Sequence, residues 1–553
     1  MSRLLLSLGH NSSAILVRNG HIVAGFEEER LTKQKSDSSF PRCSIEQLKH
    51  MYPETFKNIS DVYISHWFID GKLPDIHDKY FDPLYFHFNI PDAKIHSVSM
   101  DFTHHDAHAW SAVSFAGPLF PKSNTLVMVA DGFGNFGETM SLYHLDAHGE
   151  PKIFQRSFGY ESSLGLMYQY ATAFLGLKEN QDEYKLLGHE AHIQDYMLEE
   201  EIEILCGLAE KNSKVHLEII RSRDTVDEYD PLLALDALPA LRVQYGIHFQ
   251  KVLDQLNIGD AYSDDAKKAI IAYYIQTRLE HTVKSIVYDL NIDNLIVVGG
   301  LFMNVKLNNE LSKTISGDMC IMPLAGDQGA AIGLYQAIEG DFVWPSTLCW
   351  GPREASIIEE DRLHMFVDDP DEYIPFIIHL LMEDYIVNVV RGHMEYGARA
   401  LGNTTTLAKP TTANVEYINT LNGRSTIMPM APIITRKEAN RLFNDVIKIH
   451  QSLEYMICTR DYRIMDDSFM GAAHNVPTYD PDNPTGYTGR PQVVGLHHWL
   501  YPILSSMPNE MLINTSFNEH GMPICYSMQD ILRCHQFQLS NDTEQRVCTV
   551  VIT

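Results

Sequence analysis

The feature that most constrains this chain is a strand–polar turn–strand unit that occurs twice in its first 145 residues. Residues 3–8 read as a buried strand that stops at Gly9-His10-Asn11-Ser12-Ser13, and apolar runs follow at 14–17 and 22–26. Asn19-Gly20 between those runs is the strongest short signal for a two-residue hairpin. The pattern returns at 125–130, a strand entering the turn Asp131-Gly132-Phe133-Gly134-Asn135, with another strand over 138–144. The first turn sets the hydroxyls of Ser12 and Ser13, with backbone N–H groups, at a sheet edge, which can cradle a phosphate.

Such duplication is the mark of actin and sugar-kinase style ATPases, in which two related lobes clamp a nucleotide, although the repeat is weak and Gly-containing hairpins are common in other folds. At 553 residues the chain is too long for one core and predicts two or three domains. Its formal charge of −29 argues against a polymeric nucleic-acid partner, which needs clustered Lys and Arg. A small anion is still admissible, because a few arginines in a cleft act locally. The eight cysteines are dispersed without a CxxC pair, as suits reduced thiols in a cytoplasmic protein. No apolar run approaches the roughly twenty residues of a membrane span.

Helical spacing marks 160–190 and 263–290, and 195–260 reads as a polar, irregular insertion with helices and a loop at 221–230. A buried strand at 294–298 runs into Gly299-Gly300, and Gly326-Asp327-Gln328-Gly329 enters an Ala/Gly-rich helix that must pack closely. The first domain is placed at 1–352. A second α/β domain is placed at 370–553, anchored by a strand at 386–390, a motif region at 391–407 and the segments 428–432 and 510–517, with a long Pro/Gly/Asp-rich surface loop at 477–490.

Three histidines fall within five positions at Thr103-His104-His105-Asp106-Ala107-His108. On a helix His104 and His108 share one face and can reach one metal ion, while His105 points off it. Asp131 and Asp327, each after a strand, complete a mixed imidazole and carboxylate set that suits iron, manganese or zinc over calcium. Each aspartate also has a bland alternative, as a turn residue at Asp131 and a helix cap at Asp327. Gly299-Gly300 is of the kind that lets a backbone approach a nucleotide, but Gly-Gly turns are frequent. Arg391, Arg399, Arg424 and Arg490 lie near small polar residues and Asn403, and match a phosphate or, alternatively, surface ion pairs. Asn514-Thr515-Ser516-Phe517-Asn518 is a polar cluster or an Asx turn.

Taken in order, these segments resemble the O-carbamoyltransferases of the nodulation and antibiotic-tailoring type. The resemblance is carried by Gly9-His10-Asn11-Ser12-Ser13-Ala14, Glu27-Glu28-Glu29-Arg30-Leu31-Thr32, His104-His105-Asp106-Ala107-His108-Ala109, Asp131-Gly132, Glu183-Tyr184-Lys185, Gly299-Gly300 and Asn304. It continues through Gly326-Asp327-Gln328-Gly329, Gly397-Ala398-Arg399-Ala400-Leu401-Gly402-Asn403, Pro429-Met430-Ala431-Pro432, Arg490-Pro491-Gln492 and Asn514-Thr515-Ser516-Phe517-Asn518. The chain departs from the family pattern at Ala398, Thr404, Asn422-Gly423-Arg424-Ser425 and 189–193.

The resemblance implies an N-terminal actin-like ATPase domain, a duplicated ribonuclease H-like fold similar to threonylcarbamoyl-transferring enzymes, and a C-terminal YrdC-like α/β domain that handles carbamoyl phosphate. Carbamoyl phosphate would be split in the second domain. The carbamate, carried internally away from water, would meet ATP and become carbamoyl adenylate with loss of pyrophosphate. A hydroxyl of a small molecule (a sugar, a natural product or a hydroxymethyl-pyrimidine nucleotide) would then take the carbamoyl group, releasing AMP. The same resemblance implies His10 as the base, although a turn histidine is the alternative. It implies Ser12, Ser13, Gly132, Gly299, Gly300 and Asn304 at ATP, and Arg399, Asn403, Arg424, Arg490, Asn514 and Asn518 at carbamoyl phosphate. His104, His108, Asp131 and Asp327 would hold a divalent metal, iron favoured over manganese, magnesium or zinc. Two other readings stand beside it: a small-molecule kinase on actin-like lobes, and a non-catalytic nucleotide-binding protein. Oligomeric state is left open.

Overall fold

The structure is a computed structural model. It describes residues 1–66, 93–99, 101–223, 231–259, 262–352, 360–424, 429–444, 446–449, 451–477 and 483–553. The chain forms two compact units, one of residues 1–21 and 38–344, the other of 22–37 and 345–553. The segment 22–37, contiguous in sequence with the first unit, thus groups with the second.

The first unit holds two mixed sheets. In one, β1 (Ser2–Leu8) pairs antiparallel with β2 (Ser13–Arg18) and parallel with β4 (Ile59–His66), which pairs parallel with β5 (Lys94–Ser97). In the other, β6 (Thr125–Ala130) pairs antiparallel with β7 (Glu138–Leu145) and parallel with β9 (Asn294–Val298), which pairs parallel with β10 (Met319–Ile321). The two sheets repeat one topology. After β2 the chain turns at Asn19 and Gly20, both at positive φ, into β3 (His21–Glu27), and after β7 it turns into β8 (Pro151–Phe158). Leu4, Leu5 and Leu6 are all buried, as a strand covered on both faces requires.

Helix α1 (His104–Ala116) begins with a capping box, in which the Thr103 side chain accepts from Asp106 N–H and the Asp106 carboxylate accepts from Thr103 N–H. α2 (Leu164–Phe174) follows. The polar insertion is more regular than expected, because α3 (Glu199–Ser222) and α4 (Pro231–Gln255) fill most of it, and residues 224–230 of the expected loop lie outside the described residues. α5 (Asp264–Leu290) starts at a Ser263 cap, and α6 (Val305–Thr314) at Asn304, whose side chain accepts from Leu307 N–H. α7 (Ala330–Glu339) lies directly on α1. A Cβ on Gly333 would come within 1.7 Å of the Ala107 carbonyl oxygen, so only glycine permits this approach. The Ala/Gly-rich start of α7 thereby brings Asp327, just ahead of it, to the histidine face of α1.

The second unit is built on a seven-stranded mixed sheet in the order β11-β20-β12-β13-β19-β14-β18. Its strands are β11 (Leu363–Phe366), β12 (Ile386–Arg391), β13 (Thr404–Ala408), β14 (Ala431–Thr435), β18 (Gln492–Val494), β19 (Met511–Ser516) and β20 (Val547–Ile552). Helix α8 (Pro370–Met382) covers its core through Tyr373, Ile377 and Leu381. The expected long loop at 477–490 is partly sheet. β17 (Tyr487–Gly489) lies between β15 (Arg460–Asp461) and β16 (His474–Asn475), with Thr488 and Gly489 buried, while 478–482 lies outside the described residues. The Pro/Gly/Asp density around it hides a three-residue strand. In the anchor at 428–432, residue 428 is outside the described residues and the strand proper starts at Ala431. Among the described residues no helix is long and apolar enough to cross a membrane.

Candidate functional site

In the first unit one donor atom from each of His104, His108, Asp131 and Asp327 lies within 4.8 Å of all the others. His104 Nε2 is 3.0 Å from His108 Nε2, 3.1 Å from Asp327 Oδ1 and 3.9 Å from Asp131 Oδ2. His108 Nε2 is 3.5 Å from Asp131 Oδ2 and 3.6 Å from Asp327 Oδ1. An ion with bonds of about 2.1 Å has ligand–ligand edges of about 3.0–3.4 Å, so this spacing fits one small divalent cation. The donor set supports the fit, since two imidazoles with two carboxylates suit iron, manganese or zinc.

The surroundings hold the donors in that direction. Ser65 Oγ, at the end of β4, lies 3.2 Å from His104 Nδ1 and leaves Nε2 facing the cluster. Asp131 Oδ1 accepts the Gly132 N–H at 2.8 Å, while its Oδ2 is buried without a hydrogen bond and points at both imidazoles. Burial opposes charging of His108, yet Asp131 and Asp327 raise its imidazole to about 9. Burial likewise opposes ionisation of Asp327, yet His104 and His108 hold its carboxyl well below the usual range. Both effects show a position that attracts positive charge. Neither aspartate plays the expected bland role alone: the Asp327 side chain caps no helix, and the turn contact of Asp131 uses only one oxygen.

His105 faces away, with Nδ1 2.8 Å from Ser141 Oγ. Residues the sequence reasoning passed over fix the first turn of α1. Arg156 donates from Nη2 to both oxygens of Asp106 at 2.8 and 2.7 Å and from Nη1 to Thr103 Oγ1 at 2.8 Å, and it pairs with Glu138. The Thr103-x-x-Asp106 spacing was a visible capping signal for this turn; Arg156 left no local signal.

The exposed His10 joins the cluster through its backbone, whose N–H donates to Asp327 Oδ2 at 3.0 Å. Ser12 and Ser13 are fully buried behind it. Gly132 has open space on its Cβ side. Gly299, at φ +103°, and Gly300 are required by close packing, since a Cβ on Gly299 would sit 2.2 Å from the Ala130 carbonyl oxygen and one on Gly300 2.8 Å from Asp131 Oδ1. Asn304 caps α6 and exchanges amide hydrogen bonds with Gln276 at 2.8 and 3.2 Å.

In the second unit two groups form. Arg424 donates to Thr515 Oγ1 at 3.0 Å and Asn518 Oδ1 at 3.1 Å, and the Asn518 amide also donates to the Met522 carbonyl. Asn514 is buried and donates to the Ala400 carbonyl and to Gln492, and Asn403 donates to the His393 carbonyl. Asn514 and Asn403 are thus framework residues of the strands around the Gly397–Asn403 loop. Burial lowers the Arg490 guanidinium to about 9, and the charge of Arg399 adds to this. Two guanidinium groups brought together in this way form an anion-attracting position. Arg391 instead pairs with Asp368 at 3.0 Å and lies over Trp499, an ordinary ion pair.

These features define a two-unit α/β protein with a cation-type donor centre in one unit and an arginine pair in the other. Residues 90–335 match the family model of the carbamoyltransferase N-terminus and residues 378–542 that of the carbamoyltransferase C-terminus. The chain belongs to the carbamoyltransferase family. It is 26% identical to an uncharacterised protein of Methanocaldococcus jannaschii over 95% of this chain and 94% of that one. It is 25% identical to the nodulation protein NolNO of Sinorhizobium fredii over 94% of this chain and 76% of that one. It is 24% identical to the 3'-hydroxymethylcephem-O-carbamoyltransferase of Streptomyces clavuligerus over 43% of this chain and 45% of that one.

Proposed function

We propose that this protein is an ATP- and metal-dependent O-carbamoyltransferase that moves the carbamoyl group of carbamoyl phosphate, through carbamoyl adenylate, onto a small-molecule hydroxyl. The observation that carries the reading is the convergence of His104, His108, Asp131 and Asp327 within 4.8 Å, beside the turn that presents His10. The repeated sheet topology supports a duplicated, actin-like first domain, and the mixed seven-stranded sheet with its arginines is consistent with a YrdC-like second domain. The cephem relative's hydroxymethyl acceptor supports an alcohol as the acceptor class.

In this reading Arg399, Arg490, Arg424 and Asn518 bind carbamoyl phosphate, and water releases phosphate and carbamate. Carbamate oxygen displaces pyrophosphate from ATP, and the acceptor oxygen then displaces AMP. The turns that hold Ser12, Ser13 and Gly132 would meet the nucleotide through their backbone, with the two buried serine hydroxyls shaping the first turn from within. A metal ion held by His104, His108, Asp131 and Asp327 would neutralise phosphate charge. His10 takes the proton of the acceptor hydroxyl, which is a poor nucleophile unless deprotonated as it attacks.

Product analysis tests the reading. Incubation with carbamoyl phosphate, ATP, a divalent metal and a panel of alcohols should give AMP, pyrophosphate and a product heavier by one carbamoyl group. ADP with a phosphorylated acceptor would instead identify a kinase.

A further inference from the structure

The acidic segment at 27–32 has no part in the chemistry above, yet it lies in the second unit, against the loop that carries Arg399. We infer that Glu395, together with the Glu27–Arg30 ion pair, holds the Gly397–Thr404 loop in the conformation that presents Arg399 to an anionic phosphate; this rests on the assignment of Arg399 to carbamoyl phosphate.

Glu395 is almost wholly buried, and its Oε1 accepts three backbone N–H groups, from Leu401 at 2.7 Å, Asn403 at 2.8 Å and Thr404 at 3.2 Å. One carboxylate oxygen therefore gathers the far end of the loop. The near end is held at Gly397 from two sides. Its N–H donates to Glu27 Oε2 at 2.9 Å, and its carbonyl accepts from Arg30 Nη2 at 2.6 Å. The same Nη2 reaches Glu27 Oε2 at 2.9 Å, and Arg30 Nη1 reaches Glu29 at 2.8 Å. Gly397 and Gly402 are both at positive φ, so the loop turns sharply at each anchor.

Arg399 sits between the two anchors and has no secondary structure of its own. The backbone on either side of it is held by charged acceptors, and charge-assisted hydrogen bonds are shorter and stronger than neutral ones. This is the support a planar guanidinium needs to meet a phosphate in one orientation. Plain folding would not call for it. Three buried carboxylates (Glu27, Glu29 and Glu395) surround one guanidinium, an arrangement costly to bury. Glu395 and Glu27 are positioning residues, since they act through the loop.

The test uses the full chain and measures phosphate release from carbamoyl phosphate, with melting temperature and bound metal recorded beside it. Glu395→Ala should raise KM for carbamoyl phosphate by about tenfold to 100-fold, the range a misplaced binding group produces. Glu395→Gln should restore part of that loss, because its amide oxygen can still accept the three N–H groups, and kcat and bound metal should hold. Glu27→Gln should shift KM in the same direction. If Glu395→Ala does not fold, Glu395→Gln and Glu27→Gln carry the test. A KM unchanged in both glutamine variants, in a protein where Arg399→Ala raises it, overturns the positioning role. So does a loss confined to kcat and melting temperature. If Arg399→Ala leaves KM unchanged, the assignment of Arg399 fails and the inference falls with it.

Discussion

Asp327 and His10 are joined by a single carboxylate that faces two ways: Oδ2 accepts the His10 backbone N–H at 3.0 Å while Oδ1 sits 3.1 Å from His104 Nε2. The turn that presents the proposed base is thus tied to a proposed metal ligand. Asp327→Asn keeps the shape but removes the charge, and its amide can face only one of the two partners as an acceptor. Elemental analysis should show bound metal falling by at least about tenfold, the loss typical even of a ligand's supporting neighbour. Metal content equal to the parent protein would remove Asp327 from the ligand set.

His10 meets the cluster through its backbone N–H on Asp327 Oδ2, and an asparagine at this position keeps that N–H. His10→Asn should leave bound metal and carbamate-dependent pyrophosphate release intact, while transfer to the alcohol falls by about 10² to 10⁴, the usual contribution of a general base. Transfer at the parental rate would show that another group takes the proton.

The contact of α1 with α7 gives a third test, distant from the reacting groups. Gly333→Ala drives a methyl group into the Ala107 carbonyl. The helices must separate, which costs stability as overpacking does, about 1–3 kcal/mol or more. They also carry the two histidines and lead directly from Asp327, so melting temperature and metal affinity should fall together. A fall in melting temperature with metal affinity unchanged would mean that the cluster tolerates helix displacement.

Much of this site was legible because its signals are local. The run at 126–130 is apolar throughout and, with Thr125 ahead of it, forms β6. Asn19-Gly20 makes its turn because both residues tolerate positive φ. His104 and His108 meet because a helix brings every fourth residue to one face. Other roles depend on partners far along the chain. Glu395 gains its meaning from three N–H groups six to nine residues on, and Glu27 from a glycine 370 positions away. Arg156 lies 50 residues from Asp106, in a strand whose pattern speaks only of sheet. The convergence of Asp131 with Asp327 needed the whole order of motifs, since either aspartate taken alone reads as a turn or a cap.

Glu280, on α5, gives a pH-dependent prediction. Its carboxyl is raised to about 8 by burial first, then by Glu310 and Glu190, despite the amide of Gln276 donating to it at 2.7 Å. An unfolded chain releases this proton near pH 4.5. Between those values the folded protein therefore binds the extra proton. Stability falls as pH rises wherever the folded state binds more protons. The cost of ionising Glu280 is small at pH 5 and grows progressively up to about pH 8, above which the ionised carboxylate stays among like charges. Glu280→Gln keeps an acceptor for Gln276 and cannot ionise. Its melting temperature should match the parent at pH 5 and exceed it at pH 8.5, with the difference opening across the interval. A constant difference at all pH values would show that Glu280 does not titrate in this window.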